Sequence, residues 1–214
     1  MLTNLIIMSQ NKKEILIATE NRGKAQEIQE IFQGTDFVLR FLFEFRADFP
    51  DLLINENAKT FEGNALIKAI VVGDALQMIT LGDDSGLCID ALGGLPGVYS
   101  ARYAEEKNDA ANIKKVLAEM KDIPFSGRDC HYHCTVAIYD PATKFVETVT
   151  GSWEAKIALE PRGDKSFGYA PIIMAKDFGF LKTNAEMDHQ DLISVNHRGK
   201  AFKAAIGILN DYLK

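Results

Sequence analysis

The chain predicts an α/β fold, and three observations carry that reading. Residues 14–19, EILIAT, form a nearly continuous apolar run that reads as a buried strand, and Ala25, Ile28, Ile31 and Phe32 follow it at helical spacing. A second helix runs from about residue 62 to 77, with Ala65, Leu66, Ala69, Ile70 and Gly73 along its apolar side, before two apolar runs at 78–81 and 87–89. Residues 130–139 then alternate in character, and the turn Asp140-Pro141-Ala142-Thr143 leads into 144–151, which predicts a hairpin.

The remaining elements follow in order. Residues 1–13 read as a tail and 14–214 as one domain; Met8 is a candidate start, and the opening MLTNLIIMSQNKK lacks the basic region of a signal peptide. Residues 38–53 read as a strand and a loop, with Phe41, Phe43, Phe45 and Phe49 as core. Residues 109–120 place Ile113, Val116, Leu117 and Met120 on one helical face, and residues 153–159 extend the hairpin sheet. Ala201, Ala205, Ile208, Leu209 and Tyr212 mark a final amphipathic helix.

Composition bounds the function. A net charge of −6 and a pI near 5.3 argue against sequence-independent binding to a nucleic-acid polymer. No apolar run approaches the roughly 20 residues that span a bilayer. Three cysteines do not describe a disulfide framework, and a reducing, cytoplasmic setting is expected. Cys130-His131-Tyr132-His133-Cys134 looks like a zinc cluster. On a strand, however, its cysteines share one face, its histidines the other, and no CxxC partner exists.

Residues 81–103, LGDDSGLCIDALGGLPGVYSARY, concentrate the chemistry. Asp83 and Asp84 stand in a glycine-bounded break between the two apolar runs, at a strand end. Adjacent carboxylates need a cation or a shared proton, and Mg²⁺ supplies hard oxygen coordination. By themselves, Asp83-Asp84-Ser85-Gly86 read first as a turn. What adds weight is the extended Gly-rich loop through Gly93, Gly94, Pro96 and Gly97. Residues 19–24, TENRGK, form a strand-to-helix turn of the kind that binds phosphate on free N–H groups, with Lys24 adding a charge; a plain capped helix is the other reading.

Taken together, DDSGL and DALGGLPGVYSARYA resemble the signature of the inosine triphosphate pyrophosphatase family. Further matches run from residue 15 to 201: Thr19, Asn21 and Lys24 of TGNxxK; Asn64, Lys68 and Ala69 of NALxKA; residues 161–171 against PRGxxGFGYDP; Ala185-Glu186-Met187; and residues 196–201 against SHRGKA. The resemblance implies a mixed, twisted sheet flanked by helices, with two lobes around a central cleft, and a homodimer. It implies Mg²⁺-dependent hydrolysis of ITP, dITP or XTP to the monophosphate and pyrophosphate. Asp84, Asp83 and Lys24 are the expected catalytic residues and Asp84, Glu56 and Asp83 the expected metal ligands, with the division between base and ligand left open. Thr19, Asn21, Lys24 and Ser85 are expected on the phosphates, and Phe167, Gly168, Tyr169, His197 and Arg198 on the base. Read alone, Glu56 is equally an exposed loop acid, Phe167 and Tyr169 loop packing, and His197-Arg198 a polar helix start.

The sequence departs from the family pattern at Glu20, Ala170, Leu192, Ile193 and Asn196. Ala170 and Leu192 stand in place of an Asp and a Lys, a paired loss in the expected base region. Two alternatives follow: a pyrophosphatase with shifted base preference, and a nucleotide-binding protein without turnover.

Overall fold

A computed structural model describes residues 13–214 except Lys107 and Ser166; the expected tail, apart from Lys13, and Met8 lie outside the described residues. One six-stranded sheet, in the order β2-β1-β3-β4-β5-β6, organises the structure. Its strands are β1 Lys13–Ile17, β2 Phe37–Phe41, β3 Thr80–Ile89, β4 Asp129–Asp140, β5 Phe145–Ile157 and β6 Ile173–Ala175. The pairs β1–β2 and β1–β3 are parallel and the rest antiparallel, so the sheet is mixed, as expected. The strand begins at Lys13, one residue inside the expected tail.

Helices cover both faces. On one face lies α2, Phe61–Leu76, capped by Thr60, which accepts from the Gly63 amide. The other face carries α1, Arg22–Ile31, and the C-terminal α5, His197–Tyr212. There Ile15, Ile17, Ile28, Val136, Ile138 and Phe202 close one buried cluster. Farther along the sheet, α3, Asp109–Glu119, with Met120 at its C-cap, packs Val116 and Met120 on Leu87, Ile89, Cys130 and Ile157 in a second cluster. The cleft opens between the two. A short α4, His189–Ile193, precedes α5.

Two helices dock through missing side chains. A Cβ on Gly82 would lie 2.4 Å from the Ala65 carbonyl oxygen of α2, and one on Gly151 would lie 2.2 Å from the His197 carbonyl oxygen of α5. The glycines thus let helix backbone rest on strand backbone.

Three expectations are corrected. Asp83 and Asp84 occupy the interior of β3, not a strand end or turn: one ten-residue strand, Thr80–Ile89, joins the two apolar runs. Gly86 is no turn residue either, since a Cβ there would meet the Gly97 carbonyl oxygen at 2.4 Å. The Gly-rich segment is not a structureless loop; it folds into 3₁₀ turns at Asp90–Leu92 and Gly97–Arg102, and Ser100 Oγ accepts from the Leu87 amide. The hairpin forms as expected, with Asp140 opposite Phe145.

Candidate active site

The site grows from the way β1 ends. Its pairing with β3 stops at Ile17 opposite Leu81, with one further bond from the Ala18 amide to the Leu81 carbonyl. Past that point β3 has β4 on one side and an open edge on the other. The chain turns over that edge at Thr19, whose Oγ1 accepts from the Asn21 amide. Asn21 then caps α1 by accepting from the Lys24 amide, so the expected anion-ready helix start is present. Glu20 points away from it, bonded to Arg46.

Strand alternation sends the paired acids to opposite faces. Asp83, 2% exposed, faces α1 and α5: its Oδ2 accepts from Lys24 Nζ at 2.7 Å, with Arg198 Nε at 3.9 Å. Burial opposes its charge, but Lys24, Arg198 and Lys68 together outweigh burial and hold its carboxyl well below the usual range. Asp84 faces α2, where Asn64 donates to its Oδ2 at 3.0 Å and Lys68 Nζ lies 3.6 Å from its Oδ1. Burial is the largest influence here and raises its carboxyl above the usual value. Lys68 also donates to Glu56 at 2.6 Å. Burial disfavours its charge, yet Asp83, Asp84 and Glu56 raise its affinity for the proton overall.

This arrangement decides which acids suit a metal. Asp83 does not, because Lys24 and Arg198 already neutralise it and it looks away from Asp84. Asp84 and Glu56 are thus the acids we propose for a metal. Asp84 and Glu56 are hard oxygen donors converging on one ammonium, Glu56 partly exposed. Among the described residues no group of three or more His, Cys, Asp or Glu converges. Two carboxylates completed by substrate oxygens are what Mg²⁺ commonly takes, so the pair fits that ion.

On the α1 and α5 face the cleft is lined by Asn21, Lys24, Ser85, Phe167, Gly168, Tyr169, His197 and Arg198, all expected from sequence. Asp84, Glu56 and Lys68 do not line it; they gather on the α2 side of β3. Within the cleft, Arg198 is firmly held. It pairs with Glu27 and donates to Ser85 Oγ at 3.0 Å, and those anions outweigh burial to keep its charge. Its Nε is buried without a hydrogen-bond partner. His197 stacks on Tyr132 at 4.6 Å, and its Nδ1 is buried without a partner. Burial, with Arg198 and Lys24 close by, holds the imidazole neutral at pH 7. Phe167 is half-exposed and free to cover a ring. Tyr169 is buried, its hydroxyl donating to the Ser100 carbonyl at 2.8 Å, so it shapes the wall and offers no open stacking face.

Sequence reading passed over several residues. Glu27 sits one helical turn beyond Lys24, the spacing that could have flagged it. Asn196, the departure from Ser, caps α5 and also donates to Glu27 at 2.5 Å, a bond a serine hydroxyl is too short to reproduce from the same position. Asp109 accepts from the Gly168 amide at 2.7 Å and ties α3 to the aromatic loop. Tyr132, Trp153 and Asn184 line the cleft with no local motif to announce them. His133, part of the apparent zinc cluster, stacks on Phe61 and bonds Thr135. All three cysteines are free.

A mixed sheet with an anion-ready helix start beside the carboxylates of one strand defines a phosphate-handling α/β protein. The comparisons with known proteins narrow the class: the family model described as Ham1 family matches residues 15–208. The chain is 44% identical over 192 residues to the dITP/XTP pyrophosphatase of Bacillus subtilis, covering 89% of this chain and 94% of that one. It is 40% identical over 200 residues to the dITP/XTP pyrophosphatase of Geobacter sulfurreducens, covering 93% and 96%. The Ham1 protein of Staphylococcus aureus superposes with a TM-score of 0.81 at 33% identity, over 94% of this chain and 100% of that one. The chain belongs to the Ham1 family.

Proposed function

We propose that this chain hydrolyses the non-canonical purine nucleoside triphosphates ITP, dITP and XTP to the monophosphate and pyrophosphate. One observation carries the reading: Lys24 on the capped start of α1 bonds Asp83 while its charge also reaches Asp84, and Asp84 and Glu56 share Lys68 on the other face of β3, so cations and carboxylates gather on both faces of one strand segment. Relatives that are named dITP/XTP pyrophosphatase support the choice of substrate.

In this reading Lys24 and the free amides of α1 hold phosphate oxygens, while Asp83 keeps its charge among the remaining cations. Asp84, raised toward neutrality by burial, orients a water and takes its proton. Lys68 holds Asp84 and Glu56 in place. Mg²⁺, held by Asp84 and Glu56, would neutralise charge on the phosphate oxygens when bound. Phe167 covers one ring face of the base, and His197 presents a neutral imidazole. The cytoplasm, where nucleotides are pooled, is the compartment this activity implies. A homodimer extends the proposal: Leu95 and Tyr99, 45% and 48% exposed, border an apolar groove with Phe61 and Val98, and sedimentation of the full chain over a concentration series tests it.

A shifted base preference is favoured by one observation, the apolar wall that Leu192, Ala170 and Trp153 place in the cleft. Incubation with Mg²⁺ and, separately, ITP, XTP, dITP, GTP, ATP and dUTP distinguishes the readings. Pyrophosphate from ITP, dITP and XTP with GTP and ATP spared supports the first. Turnover of another nucleotide supports the second. No pyrophosphate from any of them refutes both and leaves a binding protein.

A further inference from the structure

We propose that Asn184 reads the nucleobase, its side-chain carbonyl accepting a hydrogen bond from a ring N–H, so that it sets which base the cleft prefers; this rests on the nucleotide reading above. Asn184 opens the 3₁₀ turn Asn184–Glu186, is 5% exposed and lines the cleft, and its Oδ1 is buried without a hydrogen-bond partner. A buried acceptor left unpaired is unusual in a folded protein and marks a place where a ligand donor is missing.

The surroundings hold this amide in place. Thr183 Oγ1 donates to the Arg162 carbonyl at 2.7 Å, and Lys165 donates its amide to the Ala185 carbonyl at 3.0 Å. Gly163 packs so tightly on Ala185 that a Cβ there would lie 2.4 Å from its carbonyl carbon. The turn bearing Asn184 is therefore strapped to the loop that carries Phe167, and a base covered by Phe167 comes within the same end of the cleft.

Little else at that end can read a base. Trp153, Ala170 and Leu192 are apolar there, and the Trp153 indole N–H is already donated to Asp177 at 2.7 Å. The other buried polar atoms without a hydrogen-bond partner on described residues that line the cleft are His197 Nδ1 and Arg198 Nε. Beside the charged Arg198 and Asp109 that also line the cleft, Asn184 supplies a neutral acceptor. A carboxamide is complementary to a lactam, accepting its N–H and donating to its C=O. The ligand class this selects is a 6-oxopurine, which carries N–H and C=O side by side.

The test compares kcat/KM for ITP and for the triphosphate of purine riboside, whose ring lacks both the N–H and the oxygen. Wild type is expected to prefer ITP. Asn184→Leu, close in volume, is expected to raise KM for ITP roughly 3- to 10-fold, as for one neutral hydrogen bond, with kcat and the purine riboside reaction unchanged. Asn184→Ala is measured beside it so that a folding failure of one leaves the other. An unchanged preference, or equal loss on both substrates, overturns the proposal. If wild type hydrolyses neither triphosphate, the pyrophosphatase reading fails on its own. Calorimetric binding of IMP against purine riboside monophosphate across the same variants then decides the role of Asn184 separately.

Discussion

Asp83 and Asp84 are neighbours in sequence whose chemistry differs because β3 turns them to opposite faces. Asp83 is locked among cations and Asp84 is left partly desolvated beside Lys68. Asp84→Asn is expected to lower kcat by about 10²- to 10⁴-fold, the usual contribution of a positioned base. Its raised carboxyl also sets a direction for the metal-free protein: Asp84 should take up its proton above the ordinary aspartate value of about 3.9, read by NMR titration without Mg²⁺. His197 gives a second pH dependence. Its imidazole resists protonation in the fold, whereas an unfolded histidine takes a proton near pH 6.5. Its contribution to stability is therefore complete above that value and declines as pH falls below it. Urea denaturation should show wild type losing its advantage over His197→Gln between about pH 6.5 and 5.

Elements differ in how plainly the sequence announces them. The helices and the hairpin follow from spacing and turn chemistry, and Lys24 and Asn21 stand where the strand-to-helix turn places them. The interior of β3 was not legible, because Gly82, Asp83, Asp84 and Gly86 erase the apolar pattern of a strand. Their reason is tertiary: Gly82 admits the backbone of α2, Gly86 admits the Gly97 carbonyl, and the acids answer cations from three other elements. No local rule encodes a helix arriving from 14 residues upstream or 115 residues downstream. Gly82→Ala and Gly151→Ala should each cost about 1–3 kcal/mol through overpacking, read as a lower urea midpoint with an unchanged slope. Asn196→Ala should cost about 1 kcal/mol for the lost cap, plus more for the Glu27 bond it removes, whereas Asn196→Ser should restore the cap alone.

At the scale of the whole molecule, the cleft lies between two buried clusters that share one sheet, and β4 contributes Val136 and Ile138 to one and Cys130 to the other. A ligand that bridges them stabilises both at once. Nucleotide at about 100 times its dissociation constant should raise unfolding free energy by roughly 2.7 kcal/mol, read as a thermal shift of the full chain. The site itself was legible only in part at this scale. Motifs named the phosphate end and part of the base end, whereas Tyr132 and Trp153 reach the cleft through topology alone.

The length of β4 and β5 carries a mechanical consequence. Both strands run unbroken beneath the cleft, 12 and 13 residues long and paired along the whole of β4. Swinging one side of the cleft against the other would have to twist this common floor and strain a continuous ladder of hydrogen bonds. The sheet thus acts as a keel: the protein's adaptation to a guest is confined to what rides above it, the turns and side chains at the rim.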